Sequence, residues 1–269
     1  MRVPFVKMHG LGNDFVVLDA RTGIVPGLTG PRASALADRH EGIGCDQVIL
    51  LETSERADLR MRIFNCDGSE VGACGNAARA IAVFLGKPAD VETAGGDIRI
   101  SPSDTGASVD MGTPRFAWDE IPLTMAMDTL SMPVGWEGLD SPGAVNVGNP
   151  HVIFFVDNCD AVPLDELGPT IETDPLFPER INVNVATIEA WDRIRLRVWE
   201  RGAGLTRACG TGACATAVHA MRRKLVGNPV TVALPGGELL IEWSPGNSIR
   251  MTGPATESFR GTIEWDDYG

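Results

Sequence analysis

One stretch of the chain is apolar almost throughout and sits between segments of mixed character. From Gly75 to Leu85 the only charged residue is Arg79. A helix that is apolar on nearly all sides belongs inside a protein, so this pattern predicts a buried helix. Gly86 stands where such a helix can end, because glycine readily adopts the left-handed backbone of a helix C-terminus.

A second helix of this kind begins near Gly210 and ends before Gly227, with basic residues gathered in its last turn. A third helix is predicted over Arg32 to His40, and a loose stretch rich in Pro and Gly over Ser131 to Gly143. Alternating or β-branched segments predict many short strands around the two buried helices. The predicted strands are Phe15 to Leu18, Gln47 to Leu51, Leu59 to Phe64, Ile98 to Ile100, Val152 to Val156, Ile194 to Trp199, Val230 to Leu234 and Leu239 to Trp243.

The two apolar helices belong to an internal repeat. The segment from Arg62 to Val83 aligns without a gap with that from Arg197 to Val218, which matches Cys74 to Cys209. Two further blocks recur in the same order, Gly12-Asn13 with Gly148-Asn149 and Gly95-Gly96 with Gly236-Gly237. Three ordered matches at about half the chain length indicate two similar halves.

Composition and charge narrow the possible partners. The 269 residues are 43% hydrophobic and 22% charged, which is ordinary for a globular protein, and the formal net charge is -13. This charge disfavours nucleic acid and anionic membranes as partners. No apolar run reaches the ~18 residues of a membrane-spanning helix, and the first ten residues lack the apolar run of a signal peptide. We therefore expect a cytoplasmic protein with reduced thiols.

The six cysteines divide into two groups. No Cys-x-x-Cys pair is present and the four histidines show no ligand spacing, so we expect no metal site. Cys74 and Cys209 each begin a buried helix, where unpaired N–H groups and the dipole lower a thiol pKa and attract a carboxylate. The other four are interpreted as small buried hydrophobes: Cys45, Cys66, Cys159 and Cys214. Three histidines are interpreted as structural: His9, His40 and His219.

One thiol in each half suits the inversion of an amino-acid α-carbon. If the two helix starts face each other, one thiolate can remove the α-proton while the opposite thiol delivers a proton to the other face. N–H groups aimed at the carboxylate would stabilise the carbanionic intermediate. No lysine stands in an obvious Schiff-base setting, so we expect no pyridoxal phosphate and no other cofactor.

Five blocks of the sequence resemble the signatures of the diaminopimelate epimerase family, in family order over nearly the whole chain. They are KMHGLGNDF (7–15), NCDGSEVGACGNAAR (65–79), GNPH (148–151), FPERINV (177–183) and ERGAGLTRACGTGACA (200–215). The resemblance implies cofactor-independent interconversion of LL- and meso-diaminopimelate, on the route to lysine and peptidoglycan, by a homodimer. Three positions depart from the family pattern: Cys66, Gly72-Ala73 and Leu205.

The resemblance also implies an α/β (α+β) fold of two pseudo-symmetric halves. Each half would be a mostly antiparallel sheet wrapped around a central buried helix, with the active site in the cleft between them. The first half would span residues 1–114 and be completed by residues 256–269, and the second would span residues 115–255.

The same resemblance assigns the site residues. Cys74 and Cys209 would be the two acid/base groups, with His151 and Glu200 beside the thiols to poise their protonation. Asn65, Asn182 and Arg201 would hold the distal end of the substrate. Side chains of Asn13, Gln47, Asn149 and Glu200 would complete the pocket. Backbone N–H groups of Gly75, Asn76, Gly210 and Thr211 would hold the reacting carboxylate. Asn184, two residues after Asn182, is expected to face away from this site.

Three other functions remain open. A proline-type racemase of the same architecture would give no reason for Arg201 beside Asn65 and Asn182, because its substrate has no second charged end. A thiol redox sensor or small-anion binding protein would use low-pKa cysteines but would not need one in each half. A cysteine hydrolase would need one nucleophile with one histidine rather than a duplicated thiol.

Overall fold

The structure, a computed structural model, describes residues 1–23, 25–72 and 74–268. The chain divides into two compact units, which we call unit 1 (Met1–Val109 with Thr252–Gly269) and unit 2 (Asp110–Met251). Gly269, at the end of the segment expected to complete the first half, and Ala73, in the Gly72-Ala73 departure, lie outside the described residues.

Strands predominate in both units, with two α-helices in each among the described residues. The first part of the chain forms β1 (Arg2–Gly10), β2 (Asn13–Asp19), α1 (Gly30–Ala37), β3 (Gln47–Glu52), β4 (Leu59–Asn65), β5 (Glu70–Val71), α2 (Gly75–Leu85), β6 (Ala89–Thr93), β7 (Gly96–Ser103) and β8 (Gly106–Asp110). The rest forms β9 (Gly135–Trp136), β10 (Leu139–Asp140), β11 (Gly143–Asn146), β12 (Pro150–Phe155), α3 (Leu164–Glu172), β13 (Asn182–Ala190), β14 (Arg193–Glu200), β15 (Gly204–Thr206), α4 (Gly210–Arg222), β16 (Val230–Leu234), β17 (Gly237–Glu242), β18 (Arg250–Gly253) and β19 (Thr256–Glu264).

Strand pairing in unit 2 repeats that in unit 1. In unit 1, β1–β2, β3–β4, β4–β5 and β6–β7 are antiparallel, and β2–β3 and β4–β6 are parallel. In unit 2, β11–β12, β13–β14, β14–β15 and β16–β17 are antiparallel, and β12–β13 and β14–β16 are parallel. This confirms the predicted mixed fold of two pseudo-symmetric, mostly antiparallel halves. β19 pairs antiparallel with β1.

The two buried helices occupy equivalent places in the repeat. α2 spans the residues that the sequence predicts and ends at Gly86, which has a left-handed backbone with φ of 64°. α4 begins at Gly210 but ends at Arg222, earlier than predicted, and Lys224 already has a φ of 57°. Each helix packs against strands of its own unit and buries most of its length.

The sequence places α1 imperfectly and misses α3. α1 begins and ends earlier than predicted, because Thr29 caps its first turn and the Asp38 side chain accepts N–H bonds from the residues that follow. α3 contains Gly168 and Pro169, two poor helix formers that hide it from a pattern analysis. A Cβ at Gly168 would overlap the Trp199 ring, so the glycine permits close packing there.

Two other expectations differ from the structure. The stretch from Ser131 to Gly143 is not loose, because it contains the β9–β10 hairpin and the start of β11. Trp136 anchors the hairpin by stacking on Phe177 and donating a hydrogen bond to Asp174. Among the four cysteines interpreted as buried, three are buried and Cys66 is exposed.

No helix in the part of the chain that the structure describes is long and apolar enough to cross a membrane.

The His219 side chain of α4 is packed in the core of unit 2. Its ring is fully buried and stacks on Phe155 at 5.5 Å with the two planes almost parallel. Burial, and secondly the nearby cations Arg223 and Arg222, lower the pKa of His219 to about 3, so the ring is neutral at pH 7. The space beside the ring is filled by the backbone of Gly143, where a Cβ would overlap the imidazole.

Gly143→Ala is expected to destabilise the protein by about 1–3 kcal/mol, since the new methyl group would overlap the buried His219 ring and must displace it. Urea unfolding compared with the native protein measures the loss. Gly27→Ala is the matched control, because nothing lies within 4 Å of a Cβ at that position. Equal unfolding free energies for the two variants would contradict the packing described for His219.

Candidate functional site

In unit 1, Cys74 caps the N-terminus of α2. Its backbone is extended, with φ of -150° and ψ of 110°, and its sulfur accepts a hydrogen bond from the Ala77 N–H at 3.5 Å. The N–H groups of Gly75 and Asn76 precede the first intrahelical bond, in which Ala78 N–H donates to the Cys74 carbonyl. The start of α2 therefore presents a thiol together with backbone donors that suit an anion.

Asn13 holds its side chain toward Cys74. Its amide nitrogen donates to the Asp46 carboxylate at 3.0 Å, which leaves Asn13 Oδ1 to face the helix start. That oxygen accepts from Asn76 Nδ2 at 3.3 Å and lies 3.8 Å from Cys74 Sγ, in a geometry where the thiol is the donor. The side chains of Asn13, Asn76 and Cys74 thus form one group.

A cluster of charged side chains holds Asp46, the carboxylate that accepts the Asn13 hydrogen bond. Asp14 contacts Lys7 and Arg39, and Arg39 also contacts Asp46. Burial alone would raise the pKa of Asp14, but the hydrogen bonds from Arg39 and Lys7 hold it at about 2. Asp14 is therefore ionised at neutral pH, and the cluster fixes the loop that carries Asp46. Two of these residues, Lys7 and Asp14, lie in the first signature block, but no local pattern marks the cluster.

Arg79 is fully buried in α2. Its guanidinium donates to Asn76 Oδ1 at 2.8 Å, which fixes the orientation of that amide. It was visible in the sequence as the single charge of an apolar helix, but its position beneath the candidate site was not predicted.

Gln47 and Asn65 form a second pair in unit 1. They are register partners on β3 and β4, and Gln47 Nε2 donates to Asn65 Oδ1 at 3.0 Å. Asn65 Nδ2 in turn donates to the Ser69 hydroxyl at 3.1 Å. The two amides expected to contact substrate therefore orient each other at one end of adjacent strands.

In unit 2, Cys209 caps α4 as Cys74 caps α2. Its sulfur accepts from the Gly212 N–H at 3.4 Å and lies 3.5 Å from the Thr211 hydroxyl. The side chain is only 3% exposed. Burial, and secondly the negative charge of Glu200, raise the pKa of the Cys209 thiol well above its ordinary value. Cys209 therefore rests as a thiol at neutral pH.

Glu200 lies beside that thiol at the end of β14. Thr206 donates its hydroxyl proton to Glu200 Oε1 at 2.5 Å, and the Cys209 thiol also hydrogen-bonds the carboxylate. Burial raises the pKa of Glu200, although these two hydrogen bonds oppose the change. A carboxyl group with a raised pKa accepts a proton more readily than an ordinary one, which suits a proton exchange with Cys209. Thr206 lies in the last signature block, but no local pattern marks it as a partner of Glu200.

His151 is fully buried on β12, and asparagines engage both of its ring nitrogens. Nε2 lies 3.0 Å from Asn149 Oδ1, and Nδ1 lies 3.1 Å from Asn184 Nδ2. Asn149 Nδ2 donates to the Thr211 hydroxyl at 3.3 Å. Burial lowers the pKa of His151 to about 3, with the Arg201 charge acting in the same direction, so the imidazole is neutral.

Asn184 was expected to face away from the site, and this was wrong. Strand residues two positions apart lie on the same side, so Asn184 shares its face with Asn182. Both amides reach toward β12, where Asn182 donates to the Pro150 carbonyl and Asn184 to the Val152 carbonyl.

Asn182 and Arg201 are joined through the backbone. Asn182 Oδ1 accepts the Arg201 N–H at 3.0 Å, while the exposed Arg201 guanidinium donates to the Glu179 carbonyl at 2.9 Å. Glu172 of α3, which no sequence motif marks, accepts the Gly202 N–H at 3.0 Å. The loop that carries Arg201 is therefore held on both sides of that residue.

Within the described part of the chain, no group of three or more His, Cys, Asp and Glu side chains is arranged to hold a metal ion.

Comparison with known proteins gives a consistent result. The family model for diaminopimelate epimerase matches residues 5–117 and 143–257. The chain is 67% identical to the diaminopimelate epimerase of Erythrobacter litoralis over 268 residues, which covers 100% of both chains.

Among solved structures, the chain is similar to a Bacillus anthracis phenazine biosynthesis protein of the PhzF family, with a TM-score of 0.70 and 18% identity, covering 98% of this chain and 99% of that one. It is also similar to a hydroxyproline epimerase from Agrobacterium vitis, with a TM-score of 0.68 and 15% identity, covering 97% and 92%. At these identities the likeness shows the fold alone.

Glu200→Gln is expected to lower the pKa of the Cys209 thiol, because it removes the neighbouring negative charge that opposes ionisation. The ultraviolet absorbance of the thiolate, taken as a difference from the matching Cys209→Ser protein, follows this ionisation as pH rises. The thiolate should appear at lower pH in the variant than in the native protein.

Glu189→Gln is the control, because that carboxylate pairs with Arg193 and Arg195 on the surface. It should leave the Cys209 titration unchanged. A titration that Glu200→Gln leaves in place, or moves to higher pH, would refute the electrostatic role of Glu200.

Proposed function

The chain belongs to the diaminopimelate epimerase family, and from this premise we propose that it interconverts LL- and meso-2,6-diaminopimelate with Cys74 and Cys209 as the two acid/base groups. The observation that supports this most directly is the repeated capping geometry. In each unit a cysteine sulfur caps the buried helix and accepts an N–H bond from its first turn. The two thiols have equivalent backbone surroundings, as a reaction that uses both faces of one carbon requires.

The proposed reaction transfers one proton at each face of the α-carbon. One thiolate takes the α-proton as the C–H bond breaks, and the electron pair left on carbon is delocalised into the adjacent carboxylate. The opposite thiol then gives its proton to the other face and becomes a thiolate. Substrate and product differ only in configuration, and the two sulfurs have exchanged protonation states. The reverse reaction follows the same steps in the opposite order.

Glu200 gives Cys209 a means of changing its protonation state. Since burial and the neighbouring charge raise the pKa of Cys209, it begins as the acid and holds its proton against Glu200. When Cys209 must act as the base, its proton can pass to Glu200, whose own pKa is raised by burial. His151, neutral at pH 7, supports the site through hydrogen bonds rather than by carrying charge.

Substrate binding is proposed to divide between backbone and side chains. The N–H groups of Gly75, Asn76, Gly210 and Thr211 would bind the reacting carboxylate, where charge develops during the reaction. The distal end would be held by Asn65, Asn182 and Arg201. The planar guanidinium of Arg201 can bind a carboxylate through two parallel hydrogen bonds. Asn13, Gln47 and Asn149 would complete the pocket.

The alternative functions are less well supported. A proline-type racemase shares the fold, but the likeness to the hydroxyproline epimerase is at 15% identity, against 67% for a diaminopimelate epimerase. A redox sensor or a cysteine hydrolase would not account for family membership along the chain. Homodimerisation and a cytoplasmic location stay predictions, and the net charge of -13 continues to argue against a nucleic-acid partner.

Replacing either thiol should strongly slow epimerisation in both directions. We expect Cys74→Ala and Cys209→Ala each to lower the rate by about 10²- to 10⁴-fold, the usual contribution of a general acid or base. In deuterium oxide the native enzyme should place deuterium in the product before it appears in recovered substrate. Any residual exchange by the two variants should favour opposite stereoisomers, since each retains the base for one face.

Cys214→Ala is the matched control, because Cys214 lies on the same helix as Cys209 and is buried in the core. It should epimerise at nearly the native rate. The two-thiol proposal fails if either single variant retains near-native epimerisation, or if both exchange the same isomer.

Arg201→Lys keeps the positive charge but loses the planar fork. We expect kcat/KM for diaminopimelate to fall about 10- to 100-fold, which corresponds to the loss of one charge-assisted hydrogen bond. Arg195→Lys, a change in a surface ion pair of the same unit, is the control and should have no effect. Native kinetics in Arg201→Lys would show that this side chain does not hold the substrate.

A further inference from the structure

Asn184 is fully buried on β13, directly beneath the first turn of α4. A Cβ built on Gly212 would lie 2.7 Å from Asn184 Oδ1 and 3.3 Å from Cys209 Sγ. The Asn184 amide oxygen and the candidate acid/base thiol of Cys209 therefore both lie next to Gly212. None of the roles assigned above uses it.

The surroundings of Asn184 fix the orientation of its amide. Nδ2 lies 3.0 Å from the Val152 carbonyl oxygen, which can only accept a hydrogen bond, so the NH₂ group must face β12. The same nitrogen lies 3.1 Å from His151 Nδ1 and 3.4 Å from the Asn182 carbonyl oxygen, and we assign its second hydrogen to the nearer Nδ1. Nδ1 must therefore carry the lone pair, and the proton of the neutral imidazole resides on Nε2.

The position of this proton sets the direction of the hydrogen bonds that follow. Nε2–H donates to Asn149 Oδ1 at 3.0 Å, which turns the amide nitrogen of Asn149 toward Thr211 at 3.3 Å. Because the Thr211 oxygen accepts this bond, its own hydrogen is available for Cys209 Sγ, 3.5 Å away. With the proton on Nδ1, the Asn149 amide would reverse and Thr211 would donate to it instead of to the sulfur.

We propose that Asn184 is a positioning residue, which holds His151 in the Nε2–H tautomer and so directs a chain of hydrogen bonds that ends with Thr211 donating to the Cys209 sulfur. A donor at that sulfur favours the thiolate over the thiol. It partly offsets the burial and the Glu200 charge, both of which favour the thiol. The consequence for catalysis rests on the proposed function, whereas the tautomer is a property of the chain itself.

The tautomer can be measured without any substrate. In protein labelled with ¹⁵N-histidine, the protonated and unprotonated ring nitrogens have clearly different chemical shifts, and the His151 signals are those absent from His151→Gln. We expect an unprotonated Nδ1 and a protonated Nε2 in the native protein. Asn184→Asp places an acceptor opposite Nδ1, so Nδ1 should become protonated in that variant. A protonated Nδ1 in the native protein would overturn the inference, whether or not the variant folds.

Kinetics then test the effect on Cys209. We expect Asn184→Asp to lower kcat about 10- to 100-fold, the usual effect of losing an orienting partner, with KM changed less than about twofold. In Asn184→Leu, which removes the Nδ2 donor without adding a charge, the pH at which the Cys209 thiolate appears should also rise. Thr216→Val, which removes a fully buried hydroxyl elsewhere on α4, is the control and should change neither quantity.

The two proposals can fail separately. If the native protein shows the expected tautomer but does not epimerise diaminopimelate, the proposed function is wrong and the role of Asn184 in setting the tautomer stands. If the native protein is active, Asn184→Asp moves the proton to Nδ1 without changing kcat, and Asn184→Leu leaves the Cys209 titration unchanged, the positioning role is wrong.

Discussion

The first N–H groups of a helix have no acceptor within the helix itself, and in both units a cysteine sulfur accepts from one of them. Cys74 accepts from Ala77 and Cys209 accepts from Gly212, each three residues further along. The cap fixes the sulfur at the helix start, and the N–H groups that precede the first intrahelical bond remain directed at the same place. One constraint thus sets both the position of the thiol and its anion-binding surroundings.

The repeat holds for the backbone but not for the charges around the two sulfurs. Asn65 and Glu200 end equivalent strands, β4 and β14, so one unit has an amide where the other has a carboxylate. The Cys74 thiol faces the oxygen of Asn13, whereas Cys209 lies against the Glu200 carboxylate, which raises its pKa. The geometry around the two thiols is duplicated, but only Cys209 has a carboxylate beside its sulfur.

Local patterns in the sequence were enough to predict the repeat, the bounds of α2 and the two capping cysteines. A buried helix is recognised by its apolar run, and its ends by the residue types that stand there. The side-chain network around His151 could not be predicted in this way, since its partners lie in the loop before β12, on β13 and on α4. Cys66 was misjudged because cysteine is usually buried, whereas here it is exposed. Arg79 did leave a local signal, but only the fold shows that its guanidinium orients Asn76.

The helix that the sequence concealed has a direct consequence for the candidate site. Gly168 and Pro169 are poor helix formers, yet the absent side chain at Gly168 lets α3 pack on the Trp199 ring. Glu172, at the last residue of that helix, thereby reaches both the Trp199 indole N–H at 2.7 Å and the Gly202 N–H at 3.0 Å. The close approach thus places a carboxylate that anchors the loop of Arg201. Gly168 makes α3 hard to predict from the sequence, yet its missing side chain lets α3 pack where Glu172 can support the loop of Arg201.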